Sequence, residues 1–192
     1  MQLQKIKKYA LSTMQCTIIH TAESGDWIQC GIAAYSADGV PLNVDVLAAL
    51  WNLTSKERDQ LNIQSATLED IGYDEEAWSS VSDADDVEIV YQDAIEAQGD
   101  IVRIYKSHAG TLYLPTAALK PVERKDGVTL GLRRVKHFEK DDLLVVSMEE
   151  YLTTGIFAAM GDRSIVGKTV RERVRSLAEL TRAAEEDAEN VG

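Results

Sequence analysis

From Asp59 to Val102 the chain carries no lysine or arginine, but it carries 13 aspartates and glutamates. A stretch so charged gains nothing by collapsing unless apolar side chains fasten it to a core. Leu68, Ile71, Tyr73, Trp78, Val81, Val87 and Ile89 are interspersed among the acids, which marks a folded segment and not a solvated tail. The net charge is −12, so the rest of the chain stands at +1 once those 13 negative charges are set aside. The charge is therefore concentrated in one part of the molecule. General affinity for nucleic acid or for anionic membranes is not favoured at this balance.

The 192 residues suffice for one domain that buries its own core without a disulfide or metal. No run approaches the roughly 18 apolar residues of a membrane helix. The N-terminal MQLQKIKKYALSTMQ is basic but has no apolar stretch of signal-peptide length, so a cytoplasmic location is the expectation. Cys16 and Cys30 fall in two strand-like segments and could face each other across a hairpin. In a reducing compartment two free, buried thiols are the expected state.

The pattern predicts an α+β fold, an antiparallel sheet of hairpins with short helices. Leu3 to Leu11 reads as a helix with Ile6 and Ala10 on one face and Lys5, Lys7 and Lys8 on another. Residues 16–20 and 27–35 read as strands, and Asp38-Gly39 as a further hairpin turn. Asn43 is placed to cap a helix through Trp51. Thr54-Ser-Lys-Glu57 matches a capping box for another helix through Leu61. Strands follow at 87–91, 101–105, 111–114, 128–135 and 143–147, with a short helix opened by Pro115. Residues 63–82 give no clear period, with Tyr73 and Trp78 as their expected anchors. Residues 151–160 suit either a strand or a buried helix.

A core domain over 1–160 is expected, followed by an amphipathic helix over 167–190. Thr169-Val-Arg-Glu172 is its capping box, and Val170, Val174 and Leu177 form its apolar seam. Its basic residues come first and its acids last, against the helix dipole. An antiparallel copy would correct that, so a homodimer through this seam is one expectation, and packing of the helix onto its own domain is the alternative. The two halves also share a pattern. Gly25-Asp26, Ser36-Ala-Asp-Gly39 and Leu47-Ala-Ala-Leu50 in one parallel Gly99-Asp100, Ser107-His-Ala-Gly110 and Thr116-Ala-Ala-Leu119 in the other. A strand–turn–strand–helix unit used twice would produce it.

Chemistry-bearing motifs are sparse. Residues 161–169 approach a phosphate-binding loop, but the spacing is one residue too long and Asp162 would repel a phosphate. His20, His108 and His137 share no metal-ligand spacing. His108, in a turn, is the one candidate acid–base residue, without an identifiable carboxylate or nucleophile beside it. The acids around Asp83, Asp85 and Asp86 lack the glycine and distal glutamate of a calcium loop. No metal and no cofactor is expected. The acids Asp74, Glu75, Glu76, Asp83, Asp85, Asp86 and Glu88 are the expected partner-binding set, because carboxylates along one face can occupy a basic groove. The opposing basic patch would comprise Arg124, Lys125, Arg133, Arg134 and Lys136, within a segment 103–140 whose charge is +6. Balancing of the acidic segment within the same chain is the plainer explanation for it.

Residues 25–42 (Gly-Asp-Trp-Ile-Gln-Cys-Gly-Ile-Ala-Ala-Tyr-Ser-Ala-Asp-Gly-Val-Pro-Leu) and 110–121 (Gly-Thr-Leu-Tyr-Leu-Pro-Thr-Ala-Ala-Leu-Lys-Pro) resemble small uncharacterised proteins encoded in phages and prophages of Gram-positive bacteria. The resemblance covers about a third of the chain and implies a mobile-element setting, but no reaction and no site residue. The hairpin-plus-helix units also resemble those of a DNA sliding clamp, whose basic inner face the overall acidity opposes. The expectation is a non-enzymatic protein that binds a macromolecular partner, most readily another protein, through its acidic surface. The alternatives are a clamp-like or other nucleic-acid-associated factor using the basic surface, and a small enzyme with His108 at its site.

Overall fold

The computed structural model describes residues 2–79, 87–97, 99–150, 152–158 and 160–161. Helix α1 (Leu3–Thr13) forms because Ile6, Tyr9 and Ala10 recur at helical spacing and are buried together. It ends where Met14 turns left-handed, with φ 56°. Strands β1 (Thr17–His20), β2 (Trp27–Cys30) and β3 (Ala33–Ser36) then run as an antiparallel meander. The β2–β3 loop is only Gly31 and Ile32. Gly31 has φ +54°, and a Cβ there would stand 2.9 Å from Thr13 Cγ2. The turn requires glycine twice over, for its backbone and for its contact with α1.

Asp38 and Gly39 do adopt positive φ, at 52° and 76°, and the Val40 amide donates to the Ala37 carbonyl at 3.0 Å. The turn opens into α2 (Val44–Leu50) and not into a further strand, so the hairpin read there is a strand-to-helix turn. Asn43 caps α2 through the Val46 amide at 2.9 Å. The capping box on α3 (Ser55–Leu61) is complete in both directions. Strand β4 (Gln64–Thr67) follows and pairs parallel with β1, Thr17 opposite Gln64. It was not legible as a strand, for its side chains are almost all exposed.

After a single 3-10 turn at Glu76–Trp78, the chain forms β5 (Val87–Glu88), β6 (Val90–Ala97), β7 (Asp100–Ser107), β8 (Gly110–Pro115) and α4 (Thr116–Leu119). It ends, among the described residues, with β9 (Thr129–His137), β10 (Lys140–Glu149), β11 (Leu152–Ala158) and β12 (Met160–Gly161). Residues 152–158 are thus a strand, and β6 runs six residues beyond the Tyr91 at which the sequence pattern stopped. Two sheets result. One has eight strands in the order β4-β1-β2-β3-β11-β10-β9-β5, the other four in the order β12-β8-β7-β6. Apart from β1 with β4, every pairing is antiparallel.

The large sheet is buried on both faces. Ile18, Ile28, Cys30, Tyr35, Leu130, Leu132, Val145 and Phe157 point into the main core with α1, α2, α4 and the inner face of β7–β8. Ile19, Trp27, Ala34, Leu144, Val146 and Ile156 point the other way and are covered by Leu68, Ala77 and Trp78. Trp27 meets Trp78 edge to face at 5.6 Å. The acidic segment is therefore held to the sheet by its tryptophan, as its apolar content implies.

The fold is α+β with antiparallel sheets and few short helices. The two turns aligned in the duplication pattern do different jobs: Ser36–Gly39 joins β3 to α2, whereas Ser107–Gly110 is the tip of the β7–β8 hairpin. The helix over 167–190 and its seam at Val170, Val174 and Leu177 lie outside the described residues. So does most of the glycine-containing loop 161–169. No helix among the described residues is long and apolar enough to cross a membrane.

Glu57 couples two of these elements. Its carboxylate accepts from the Thr54 amide at 2.8 Å and meets Lys7 of α1 at 2.9 Å. The Thr54 amide first and the Lys7 ammonium second hold its carboxyl down, from 4.5 to about 2. A depressed carboxylate contributes stability that is complete above the ordinary value and disappears as pH falls through the folded one. The melting temperature of Glu57→Gln should thus lie below wild type by a constant interval above about pH 5. Thermal melts at descending pH should show that interval closing toward pH 2.

Candidate functional site

The acids of the central segment fall into two groups by position. In the first, before residue 80, several carboxylates are engaged by main-chain donors. Asp70 accepts from the Thr67 amide at 2.8 Å, and that bond lowers its pKa. Asp74 accepts from the Ala77 amide at 3.0 Å and fastens the 3-10 turn. Glu75 reaches across to the β1–β2 loop, with Ala22 N–H at 2.6 Å and Glu23 N–H at 3.5 Å. Of the expected partner-binding set, Asp74 and Glu75 are thus occupied in holding the segment against the sheet. Glu76 is exposed. Glu88 pairs by its backbone with Gly131 of β9, and Asp83, Asp85 and Asp86 lie outside the described residues.

The second group stands on the β6–β7 hairpin. Asp93, Glu96 and Asp100 are all exposed. They belong to the cation-free segment, yet sequence reading did not single them out. The signal was present in the Gly99-Asp100 turn, where Gly99 has φ +80°, but strand β6 shows no clean alternation to place its side chains. Tyr105, Leu112 and Leu114 of the small sheet enter the main core, and Val102 and Tyr113 form a minor cluster on the other face. On the same hairpin Val90, Tyr91 and Ile101 remain 58%, 53% and 55% exposed. Tyr91 leans edge-on against Tyr105, with ring centroids 5.7 Å apart.

β6 is the outermost strand of its sheet, and among the described residues nothing pairs with its free side. Two devices guard that edge. A register shift between Tyr91 and Asp93 interrupts the ladder, and Asp93 Oδ1 takes the Ala94 amide at 2.7 Å. Bulges and charges of this kind keep an edge from pairing indiscriminately.

The expected basic patch does not form one surface. Arg133 is 4% exposed, on the sheet face that the 68–79 segment covers. Its guanidinium donates to Ser79 O at 3.0 Å and to Thr153 Oγ1 at 2.9 Å, with Ala77 O at 3.4 Å. It is a core residue, because it points to the face of β9 that the 68–79 segment covers, whereas Arg134 on the other face is exposed. Arg124 pairs with Glu149 and Lys136 with Asp141, both at 2.5 Å. Arg103 pairs with Glu123 at 2.7 Å. Lys125 and Arg134 are exposed. Balancing of charge within the chain accounts for these pairs, though their partners come from 123–149 and not from the cation-free segment.

His108 is exposed at the tip of the β7–β8 hairpin. It borders a cleft of about 640 Å³ shared with Leu112, Arg134, Asp141, Asp142 and Leu143. The fold thus supplies the carboxylates that the sequence could not locate. The lining includes no serine, threonine, cysteine, tyrosine or lysine to serve as nucleophile. The other histidines are structural. His20 Nδ1 and Asp26 Oδ1 are 2.9 Å apart, and Asp26 also accepts from the Leu42 amide at 2.5 Å. His137 stacks on Tyr73 at 4.5 Å. Among the described residues no three His, Cys, Asp or Glu side chains are grouped to share a metal ion.

No family model, no curated protein and no solved structure matches this chain.

Arg133 and its neighbour Arg134 offer a direct contrast. Arg133→Met strips buried acceptors of their donor and should cost about 2–5 kcal/mol in urea denaturation. Arg134→Met should change stability by no more than about 0.5 kcal/mol.

Proposed function

We propose that this is a non-enzymatic binding protein, and that it grips a basic, extended segment of a protein partner along the β6–β7 hairpin. The observation that carries this reading is the conjunction of three exposed carboxylates with three exposed apolar side chains on one projecting hairpin. Apolar area supplies affinity, while charges at the rim select the partner and accelerate encounter. Asp93, Glu96 and Asp100 would receive lysines or arginines, and Tyr91 and Ile101 would receive the intervening apolar side chains.

Charge chooses the occupant. A second copy of the hairpin would bring three carboxylates against three, offset on each copy by the one exposed cation, Lys106, and the balance is repulsive at strand spacing. Nucleic acid would meet the same repulsion. A lysine- or arginine-bearing segment is the complementary one. The phage or prophage setting implied by residues 25–42 and 110–121 is compatible with such an adaptor role and adds no residue to it.

The small-enzyme reading rests on the His108 cleft, where Asp141 and Asp142 now accompany the imidazole. Its cleft holds no serine, threonine, cysteine, tyrosine or lysine, and we rank it second.

The test uses the full chain and a fluorescently labelled peptide of alternating lysine and valine, with a glutamate–valine peptide as the control. Anisotropy should report binding of the basic peptide alone, weakening as salt rises from about 50 to about 300 mM. Replacing Asp93, Glu96 and Asp100 together by Asn, Gln and Asn should weaken binding about tenfold. Equal binding of both peptides, or an unaltered affinity in the triple variant, would refute the proposal.

A further inference from the structure

Cys16 and Cys30 are both buried and both free, and the strand register puts them face to face. Thr17 pairs with Gln29 and Ile18 with Ile28, so the next pair outward is Cys16 with Cys30. Side chains alternate along a strand. Cys16, Ile18, Ile28 and Cys30 all enter the main core, which confirms that the two thiols lie on the same face of the sheet.

The peptide groups of both residues point away from each other. Cys30 pairs with Ala33 across a two-residue loop; such loops close on a hydrogen-bonded pair, so Cys30 directs its amide and carbonyl toward β3. Cys16 directs its carbonyl to the Gln64 amide of β4, at 3.1 Å. Between β1 and β2 the cysteines therefore form a non-hydrogen-bonded pair. In that class the Cα atoms stand about 4.5 Å apart and the side chains are closest, within the span a disulfide accepts, roughly 4.4–6.8 Å.

Both cysteines are buried, Cys16 at 3% and Cys30 at 0% exposure, and of the two only Cys16 borders the cleft of about 290 Å³ that it shares with Met14, Gln15, Gln29, Asn62 and Gln64. The Cys16 thiol and burial together push the Cys30 thiol well above its ordinary pKa, so Cys30 is the poorer first nucleophile.

We propose that Cys16 and Cys30 form a thiol–disulfide exchange site, in which a small-molecule disulfide enters beside Met14 and leaves behind a cross-strand disulfide. The Cys16 thiolate attacks one sulfur of the incoming disulfide, forming a mixed disulfide and expelling one thiolate. The Cys30 thiolate then attacks the Cys16 sulfur and expels the second. The protein loses two electrons and two protons, and the small disulfide becomes two thiols. The new bond joins β1 to β2 and closes the loop between them, which removes conformational freedom from the unfolded chain.

The experiment incubates the native full-length chain with oxidised glutathione at about pH 8 and quenches it in acid before intact-mass measurement. The expected product has lost both thiols, is lighter by two hydrogen atoms and retains no glutathione. Its melting temperature should rise by roughly 5–10 °C, and dithiothreitol should reverse the change. Cys30→Ser should stop at one glutathione per chain, on Cys16. Persistence of both free thiols in the folded chain, or glutathione retained on both sulfurs, would overturn the assignment. The wild-type mass decides this even where the variant does not fold.

Discussion

A buried hydroxyl ties the two sheets together inside the core they share. Tyr35, on β3 of the large sheet, is 1% exposed, and its phenol donates to the Ala118 carbonyl of α4 at 2.7 Å. Helix α4 continues directly from β8 of the small sheet, so this bond spans the two layers. A buried hydroxyl without a partner is costly, and a phenol in this setting stays protonated, because burial drives its pKa up. The ring is clasped edge-on by Tyr9 of α1 at 6.3 Å and by Phe157 of β11 at 6.2 Å. Its register partner on β11 is Gly155, where a Cβ would press to 2.8 Å from Ser147 Oγ and 3.1 Å from Phe157. The seam between the N-terminal and C-terminal meanders is thus a large aromatic residue set against a residue with no side chain.

The small sheet leaves its edge hairpin only partly covered. On β6–β7, Val90 and Tyr91 stand opposite Lys106 and Tyr105 at the end away from the turn, and Ile101 stands opposite Glu96 near the turn; all three apolar side chains are more than half exposed. If the hairpin docks the partner we propose, its acids set the sign of that partner. In other parts of the fold several carboxylates are engaged internally: Asp74 and Glu75 on main-chain amides, and Glu123, Asp141 and Glu149 on arginine and lysine.

Much of the secondary structure was legible because its determinants are local. Asn43 and Thr54 announce their helices through bonds to residues three positions on. Ile6, Tyr9 and Ala10 announce α1 by spacing alone. Strand β4 was not legible, because Gln64-Ser-Ala-Thr67 has no apolar face and is defined by pairing with β1 some 47 residues away. The charge asymmetry was equally plain in the sequence, but its meaning was not. Glu75 finds its partner 53 residues back along the chain. Arg133 differs from Arg134 only by parity along a strand that is covered on one side at this position. Neither fact is encoded in the neighbouring residues. The same holds for Cys16 and Cys30, whose opposition follows from the β1–β2 register.

The claim on which this account turns is that the Tyr35 hydroxyl ties α4 to the large sheet within the core the two sheets share, and Tyr35→Phe removes it while keeping the ring. The account predicts a loss of about 1–3 kcal/mol, since the Ala118 carbonyl loses its donor inside the core. Amide hydrogen exchange should accelerate together in β3 and β11 of one sheet and in β8 and α4 of the other. Acceleration confined to one sheet, or exchange unchanged in both, would contradict it.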